Sequence, residues 1–222
     1  MKLFFHYCPY GFSNCYILGT DYAAPGPETY TPDKAAPRDQ TPREALIIDP
    51  GVMDVQILKF IEGNEYTLRG VLLSHDHAGH SHGLGTIKKI YDVEIFAVSH
   101  TVGEFKTTRV KDGDHLTIGP FAVDVLSVPG HSSDSAVYRI ERLLFTGDAL
   151  SAGLVGSTAS SYGATVQMNA LQHKILSLPG DYLVLPGHGP PSNLEAERRF
   201  NAGIEAYNKK RAQKPQRFYR SL

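Results

Sequence analysis

The stretch Ser74-His75-Asp76-His77-Ala78-Gly79-His80-Ser81-His82-Gly83 holds four of the ten histidines of this chain. It follows directly on Gly-Val-Leu-Leu-Ser (70–74), a short apolar run that predicts a buried strand. If the chain stays extended beyond that strand, His75 and His77 point to the same side, because side chains alternate along an extended backbone. Two neutral imidazoles side by side are typical ligands of zinc or iron. The stretch therefore predicts a metal site at the edge of a sheet.

Three further segments repeat this format. Ser-Val-Pro-Gly-His-Ser-Ser (127–133) presents His131, Leu-Leu-Phe-Thr-Gly-Asp-Ala (143–149) presents Asp148, and Leu-Val-Leu-Pro-Gly-His-Gly-Pro-Pro (183–191) presents His188. In each, an apolar run stops at a glycine, which permits a sharp turn, and a side chain able to bind metal follows. Four strand ends that expose His or Asp indicate one or two shared transition-metal ions used for hydrolysis. The predicted ligands are His75, His77, His131, Asp148 and His188.

The bulk properties exclude several classes of function. The 222 residues suit one large domain or at most two small ones, and the net charge of −1 indicates neither a nucleic acid partner nor a membrane surface. No stretch approaches the ~20 apolar residues of a membrane span, and residues 1–10 lack the pattern of a signal peptide. We therefore expect a cytoplasmic protein with a small-molecule substrate, in which Cys8 and Cys15 are reduced and buried. The oligomeric state stays open.

The order of predicted elements favours a single α/β domain. Strands are expected within 3–19, 45–49, 70–74 and 94–98, and again, in antiparallel order, within 115–146 and at 182–186. Helices are predicted at 55–62, 84–91, 166–178 and 193–207. The domain is predicted to span 1–208, with 20–44 as a Pro-rich loop insertion and 209–222 as a basic C-terminal tail. Helices outside two sheets fit this order best.

The order His-x-His-x-x-His, Gly-His, Gly-Asp, Gly-His resembles the metallo-β-lactamase superfamily. So do Leu-Ile-Ile-Asp-Pro-Gly (46–51) and Ser-Asn-Cys-Tyr-Ile-Leu (13–18). The match runs from about residue 3 to about residue 200, and the ending Pro-Gly-His-Gly-Pro-Pro-Ser (186–192) most resembles the glyoxalase II-like branch. The resemblance implies a four-layer αβ/βα sandwich, with two mixed β-sheets flanked by helices and the metals at one edge of the sheets.

The resemblance also implies which residues hold each ion. The first ion would be held by His75, His77 and His131, and the second by His80 and His188, with Asp148 bridging the two or binding whichever is present. The family's His-x-His-x-Asp-His loop has an Asp where this chain has Gly79. The second site would therefore be weaker, which leaves single-metal occupancy open, and His82 or Asp76 could compensate. The other four histidines are treated as ordinary: His6, His100, His115 and His173.

The expected chemistry is hydrolysis by a metal-bound hydroxide on a thioester, ester or related small substrate. Zinc is the first choice of cofactor, as one or two ions, because it lowers the pKa of bound water to about 7; iron or manganese also suit these ligands. Asp148 is the first candidate to orient the nucleophile or accept its proton, and His80 is the second. Two alternatives remain: a mononuclear non-haem iron dioxygenase of the persulfide type, and a degenerate, non-catalytic metal-binding protein.

Overall fold

The apolar strands pair into two six-stranded sheets. The computed structural model describes residues 1–20 and 42–212. Most of the predicted 20–44 loop and residues 213–222 of the predicted tail lie outside the described part. The strands are β1 (Lys2–Cys8), β2 (Ser13–Gly19), β3 (Glu44–Ile48), β4 (Thr67–Leu72), β5 (Glu94–Ala97), β6 (Thr101–Val102), β7 (Phe105–Lys106), β8 (Thr108–Arg109), β9 (His115–Ile118), β10 (Phe121–Ser127), β11 (Ala136–Ile140), β12 (Leu143–Gly147), β13 (Leu150–Ser151), β14 (Leu154–Val155), β15 (Leu183–Pro186) and β16 (Ser192–Asn193).

Within residues 1–20 and 42–212, six helices accompany these strands. They are α1 (Val55–Gly63), α2 (Ala78–Ser81), α3 (Leu84–Ile90), α4 (Ser161–Ala170), α5 (Leu194–Phe200) and α6 (Ala202–Ala212). A π-helical turn, Leu171–Ile175, continues α4. No helix among the described residues is long and apolar enough to cross a membrane.

Strand direction brings the predicted site residues to one edge. The first sheet has the order β1-β2-β3-β4-β5-β8, and the second has the order β16-β15-β12-β11-β10-β9. β3 and β4 are parallel, and so are β12 and β15. β10 runs in the same direction as β12, because each is antiparallel to β11. The carboxyl ends of β10, β12 and β15 therefore share an edge, which is where His131, Asp148 and His188 follow.

Three apolar clusters separate four layers, which confirms the predicted αβ/βα sandwich. The central cluster lies between the sheets, with Leu46 and Ile48 from the first sheet facing Val125 and Tyr138 from the second. An outer cluster packs α1 and α3 on the first sheet, and another packs α4, α5 and α6 on the second. At roughly 25 cal/mol per Å² of apolar surface, these clusters supply the main free energy of folding. Cys8 and Cys15 are buried and free of a disulfide, as expected.

Two predicted helices have different bounds in the structure. The helix predicted at 166–178 begins at Ser161, because the Ser160 hydroxyl accepts from the Gly163 amide as an N-cap. The helix predicted at 193–207 is two helices, separated at Asn201 in an extended conformation. Asn201 donates to Glu197, and its Oδ1 accepts from the Ile204 amide at the start of α6. α6 continues to Ala212, so the first residues of the predicted tail are helical.

Candidate metal centre

Four predicted ligands converge at the shared edge of the two sheets. Nδ1 of His77 lies 2.9 Å from Nε2 of His75 and 3.1 Å from Nε2 of His131. Oδ2 of Asp148 lies 3.7 Å from Nε2 of His75 and 3.4 Å from Nε2 of His131. All four ligand atoms lie within 4.8 Å of one another. The structure thus brings together side chains that are up to 73 positions apart in sequence, as the sequence predicted.

The donor set fits a transition-metal ion. A tetrahedral ion with bonds of ~2.0–2.1 Å has ligand atoms about 3.3 Å apart, close to the spacing of these four atoms. A ring nitrogen carries either one proton or one lone pair, so Nδ1 of His77 can satisfy only one of the two imidazole nitrogens that approach it. A shared cation satisfies all of them at once. Hydrogen bonds alone do not account for this arrangement.

Two residues outside the ligand set, Ser74 and Asp49, fix the proton position on His75. The Ser74 hydroxyl donates to Asp49 at 2.6 Å, and the Asp49 carboxylate also accepts from the Ser74 amide at 2.7 Å. Because the single hydroxyl proton is used there, Ser74 must accept from Nδ1–H of His75, which lies 3.0 Å away. The lone pair of His75 is then on Nε2, the atom that faces the cluster. Such outer partners orient metal ligands and raise their basicity.

Backbone carbonyls fix two further imidazoles, those of His131 and His188, in the same way. Nδ1 of His131 donates to the Ser157 carbonyl at 2.9 Å, and Nδ1 of His188 donates to the Phe12 carbonyl at 2.8 Å. Each leaves a lone pair on Nε2. Phe12 has a left-handed backbone, with φ of 54°, which is rare for a bulky residue. That conformation at the β1–β2 tip points its carbonyl at His188.

A second group shares Asp148 with the first. Nε2 of His80 lies 3.4 Å from Oδ1 of Asp148, and Nε2 of His188 lies 3.4 Å from Oδ2. Both ring nitrogens of His80 and Oδ1 of Asp148 are buried without a hydrogen bond. Nδ1 of His80 lies 3.3 Å from Oδ2 of Asp49, whereas Nε2 of His80 and Oδ1 of Asp148 face the second group. Buried polar atoms normally have partners, so this nitrogen and this oxygen fit a bound cation. This group has only three donors, and Gly79 supplies none.

Neither proposed substitute for the missing Asp lies in these groups. His82 is exposed, and its ring stacks on Tyr10 with centroids 4.2 Å apart. Asp76 is exposed, and because side chains alternate along the extended chain, it points away from His75 and His77. Its amide donates to the Asp134 carboxylate at 2.9 Å. Among the described residues, no other histidine joins a donor group.

The three predicted turn glycines serve two different purposes. Gly130 and Gly147 have φ of 144° and 48°, where a side chain is strained. Gly187 has no left-handed φ, and the reason for glycine there is space. A Cβ on Gly187 would come within 2.6 Å of Cε1 of His80 and would also overlap Oδ1 of Asp148. The expected sharp turn holds for the first two positions, whereas close approach explains the third.

Burial and charge set the protonation of the centre. Burial lowers the pKa of His75 to about 4, and the neighbouring His80 adds to that effect. Burial also opposes a charge on His80, but the Asp148 and Asp49 carboxylates outweigh it and raise the pKa of His80 to about 10. Burial would raise the pKa of Asp148, yet His188 and His80 hold it far below its ordinary value. Asp148 is therefore ionised at neutral pH.

Sequence reasoning missed several residues that support the ligands. The sequence places Asp49 only at the end of the strand predicted at 45–49, although this strand runs parallel to the one predicted to end at Ser74. That adjacency was available from the pattern of parallel strands. Asp134 and Gln167 gave no such signal, because their contacts depend on loops from distant parts of the chain.

Comparison with known proteins places this architecture in a family. Residues 40–188 match the model of the metallo-beta-lactamase superfamily. A hydroxyacylglutathione hydrolase of Marinomonas sp. (strain MWYL1) is 32% identical over 165 residues, which cover 73% of this chain and 62% of that relative. The probable metallo-hydrolase YqgX of Bacillus subtilis (strain 168) is 29% identical over 188 residues, covering 74% of this chain and 89% of YqgX.

A solved structure shares the fold over nearly the whole chain. ETHE1 from Myxococcus xanthus superposes with a TM-score of 0.75 at 23% identity, covering 97% of this chain and 93% of that one. The predicted resemblance is confirmed, including relatives of the glyoxalase II kind. The chain belongs to the metallo-beta-lactamase superfamily.

Proposed function

We propose that this chain is a metal-dependent hydrolase that cleaves a thioester, an ester or a related small substrate. The convergence of two donor groups on Asp148 carries the proposal. His75, His77, His131 and Asp148 would hold the first ion. His80, Asp148 and His188 would hold a second one. Zinc is our choice, with iron or manganese as substitutes; the bound metal would lower the pKa of a water molecule and polarise the substrate carbonyl.

The chain's own residues would position the reactants. Asp148 is ionised, and its Oδ1 has no hydrogen bond, so it can accept one from the attacking water and orient it. The low pKa of Asp148 makes this carboxylate a weak base. It is therefore better suited to orient the attacking water than to keep the proton that the water gives up. His80 lies between two carboxylates that favour its charged form. When only the first ion is bound, we assign His80 as the second catalytic candidate, able to hold a proton destined for the leaving group.

Thioesters are the preferred substrate class. Relatives of this chain are named hydroxyacylglutathione hydrolase, a name that denotes hydrolysis of an acyl thioester. The chain spans 62% of the first of these relatives, so its substrate is part of the proposal. A cytoplasmic location and the lack of a nucleic acid partner likewise stay predictions.

A substrate panel tests this function. The chain, purified and loaded with zinc, is incubated with hydroxyacyl thioesters, oxygen esters and a phosphodiester. A thiol-reactive dye follows hydrolysis of the thioesters, and titration of the released acid follows hydrolysis of all three classes. We expect thioester turnover that is lost on chelation and restored by metal. The matched control is His115→Ala, which removes an exposed imidazole paired with Asp124 outside the centre. Absence of turnover on every substrate with metal fully loaded would instead support a non-catalytic metal-binding protein.

A mononuclear iron dioxygenase of the persulfide type is the second candidate. The three-donor second group favours it, because Gly79 leaves that group without the family's carboxylate. Elemental analysis of protein purified without added metal, together with oxygen uptake on a persulfide, separates the two functions. One iron per chain and persulfide-dependent oxygen uptake would favour the dioxygenase over the hydrolase.

A further inference from the structure

Gln167 of α4 is buried beside the metal centre but belongs to neither donor group. Its side chain is 2% exposed. Nε2 donates to the Gly156 carbonyl at 2.9 Å and lies 3.3 Å from the Ala149 carbonyl. Carbonyl oxygens only accept, so the amide nitrogen must be the atom that faces them. A glutamine is suited to this place because it offers two N–H donors from one buried atom.

The two carbonyls belong to the loops that present two different ligands. Ala149 directly follows Asp148. Gly156 directly precedes Ser157, whose carbonyl accepts from Nδ1 of His131. The same two loop residues also bond each other, since the Gly156 amide donates to the Ala149 carbonyl at 3.2 Å. One side-chain amide therefore ties the backbone beside Asp148 to the backbone that orients His131.

The helix that carries Gln167 also packs on the His131 turn. A Cβ on Gly130 would overlap Cβ of Gln167 and come within 2.6 Å of the Gly163 carbonyl. With φ of 144°, Gly130 lets the chain pass directly against α4. Gln167 thus contacts two segments that position His131. One is Gly130, which precedes His131 in sequence, and the other is Gly156, which precedes the Ser157 carbonyl that accepts from His131.

The other end of the same amide gives a second observation. Oε1 of Gln167 is buried without a hydrogen bond. An unpartnered buried acceptor is unfavourable, and an apolar residue of the same length would avoid it. Packing alone therefore does not explain a glutamine here, whereas the two donated contacts do.

We infer that Gln167 is a positioning residue that sets the distance between His131 and Asp148. This inference rests on the proposed function, since it assumes that these two side chains bind one ion. Residues that hold ligands from outside change metal affinity by about 10- to 100-fold. Gln167→Met keeps the length of the side chain and removes both donors, so we expect metal binding to weaken within that range. Gln167→Asn keeps the amide but shortens its reach and provides a milder variant.

The experiment compares metal affinity and coordination geometry in the whole chain. Zinc dissociation constants are measured by competition with a chromophoric chelator, and the visible spectrum of the cobalt-loaded protein reports ligand geometry. Circular dichroism verifies that each variant is folded. Gln172→Met is the matched control, because Gln172 lies in the π-helical turn that continues α4 and donates to Asn208 of α6.

The expected result is weaker zinc binding and an altered cobalt spectrum in both Gln167 variants, with Gln172→Met unchanged. Folded Gln167 variants with wild-type affinity and spectrum would overturn the inference alone. A wild-type chain that binds no zinc or cobalt would overturn the proposed function and the inference with it.

Discussion

Gly11 at the tip of the β1–β2 hairpin packs directly on Gly79 of the histidine loop. A Cβ on Gly11 would come within 2.6 Å of the Gly79 Cα, and Gly11 has φ of 73°, so no other residue fits there without strain. The reverse does not hold. A Cβ on Gly79 would meet its nearest neighbour at 3.6 Å, an ordinary contact, and Gly79 has no left-handed φ. The hairpin therefore restricts Gly11 but leaves room for a Cβ at position 79.

Gly79→Asp is expected to strengthen the second ion site. The new carboxylate adds a fourth donor to His80, Asp148 and His188, the group that now has three. Residues that support ligands from outside change metal affinity by about 10- to 100-fold. A direct ligand should have a larger effect, so the affinity for a second metal equivalent should rise by more than that. Isothermal titration with elemental analysis checks stoichiometry. Gly79→Ala is the control, because it adds the Cβ without a donor, and equal second-site binding in both variants would contradict the prediction.

Asp148→Ala should disrupt both groups at once. Asp148 contributes a carboxylate oxygen to each, so its loss leaves three donors in one group and two in the other. We expect metal affinity to fall by more than about 100-fold, beyond the effect of any outer partner, and turnover to fall with it. The matched control is Asp92→Ala, which removes a fully exposed carboxylate that pairs with Lys88 outside the centre. Retained binding of one ion at wild-type affinity would show that Asp148 is dispensable.

Asp134→Ala should loosen the loop that carries His75 and His77. The Asp134 carboxylate accepts from the Asp76 amide at 2.9 Å and from the Ser99 hydroxyl at 3.0 Å. Without it, the chain between the two imidazoles loses its anchor, and metal affinity should drop about 10- to 100-fold. Asp134→Asn keeps a hydrogen-bond acceptor, so its metal affinity should lie between those of the wild type and Asp134→Ala. Asp114→Ala is the control, because the Asp114 carboxylate accepts from the Lys111 amide in a turn away from the centre. An equal loss of metal affinity in this variant would refute a specific role for Asp134.

The chelator-treated protein should be most stable near pH 6.5. His80 has a folded pKa of about 10 against an unfolded one of ~6.5, so its contribution is complete below pH 6.5 and is lost as the pH rises toward 10. His75 has a folded pKa of about 4, so its contribution is complete above pH 6.5 and is lost as the pH falls toward 4.

Thermal unfolding across pH 4–10 in EDTA checks this pH dependence. We expect the Tm to decrease on both sides of the maximum. His80→Gln cannot hold the proton and should remove most of the alkaline decrease. A Tm that stays level from pH 6.5 to 10 in wild-type protein would show that His80 is not charged in the folded chain.

Much of the local structure follows from sequence alone. Apolar runs that end at Gly or at Ser74 predict the strands, and the residue after each end predicts the ligands. This works because strand burial and turn geometry depend on neighbours only a few residues away. The predicted helix at 193–207 was wrong in its bounds, because the Asn201 side chain bonds to Glu197 and to the Ile204 amide and divides it into two helices.

The sequence by itself determined the order of elements, the superfamily resemblance and the set of candidate metal ligands, since each of these is written in short, contiguous segments. Only the tertiary structure decided how the ligands are supported. Asp134 and Gln167 act through contacts across 58 and 11 to 18 positions, respectively, and no local pattern encodes such contacts. Their effect depends on distances of a few ångströms between separate loops, and those distances exist only once both sheets are packed together.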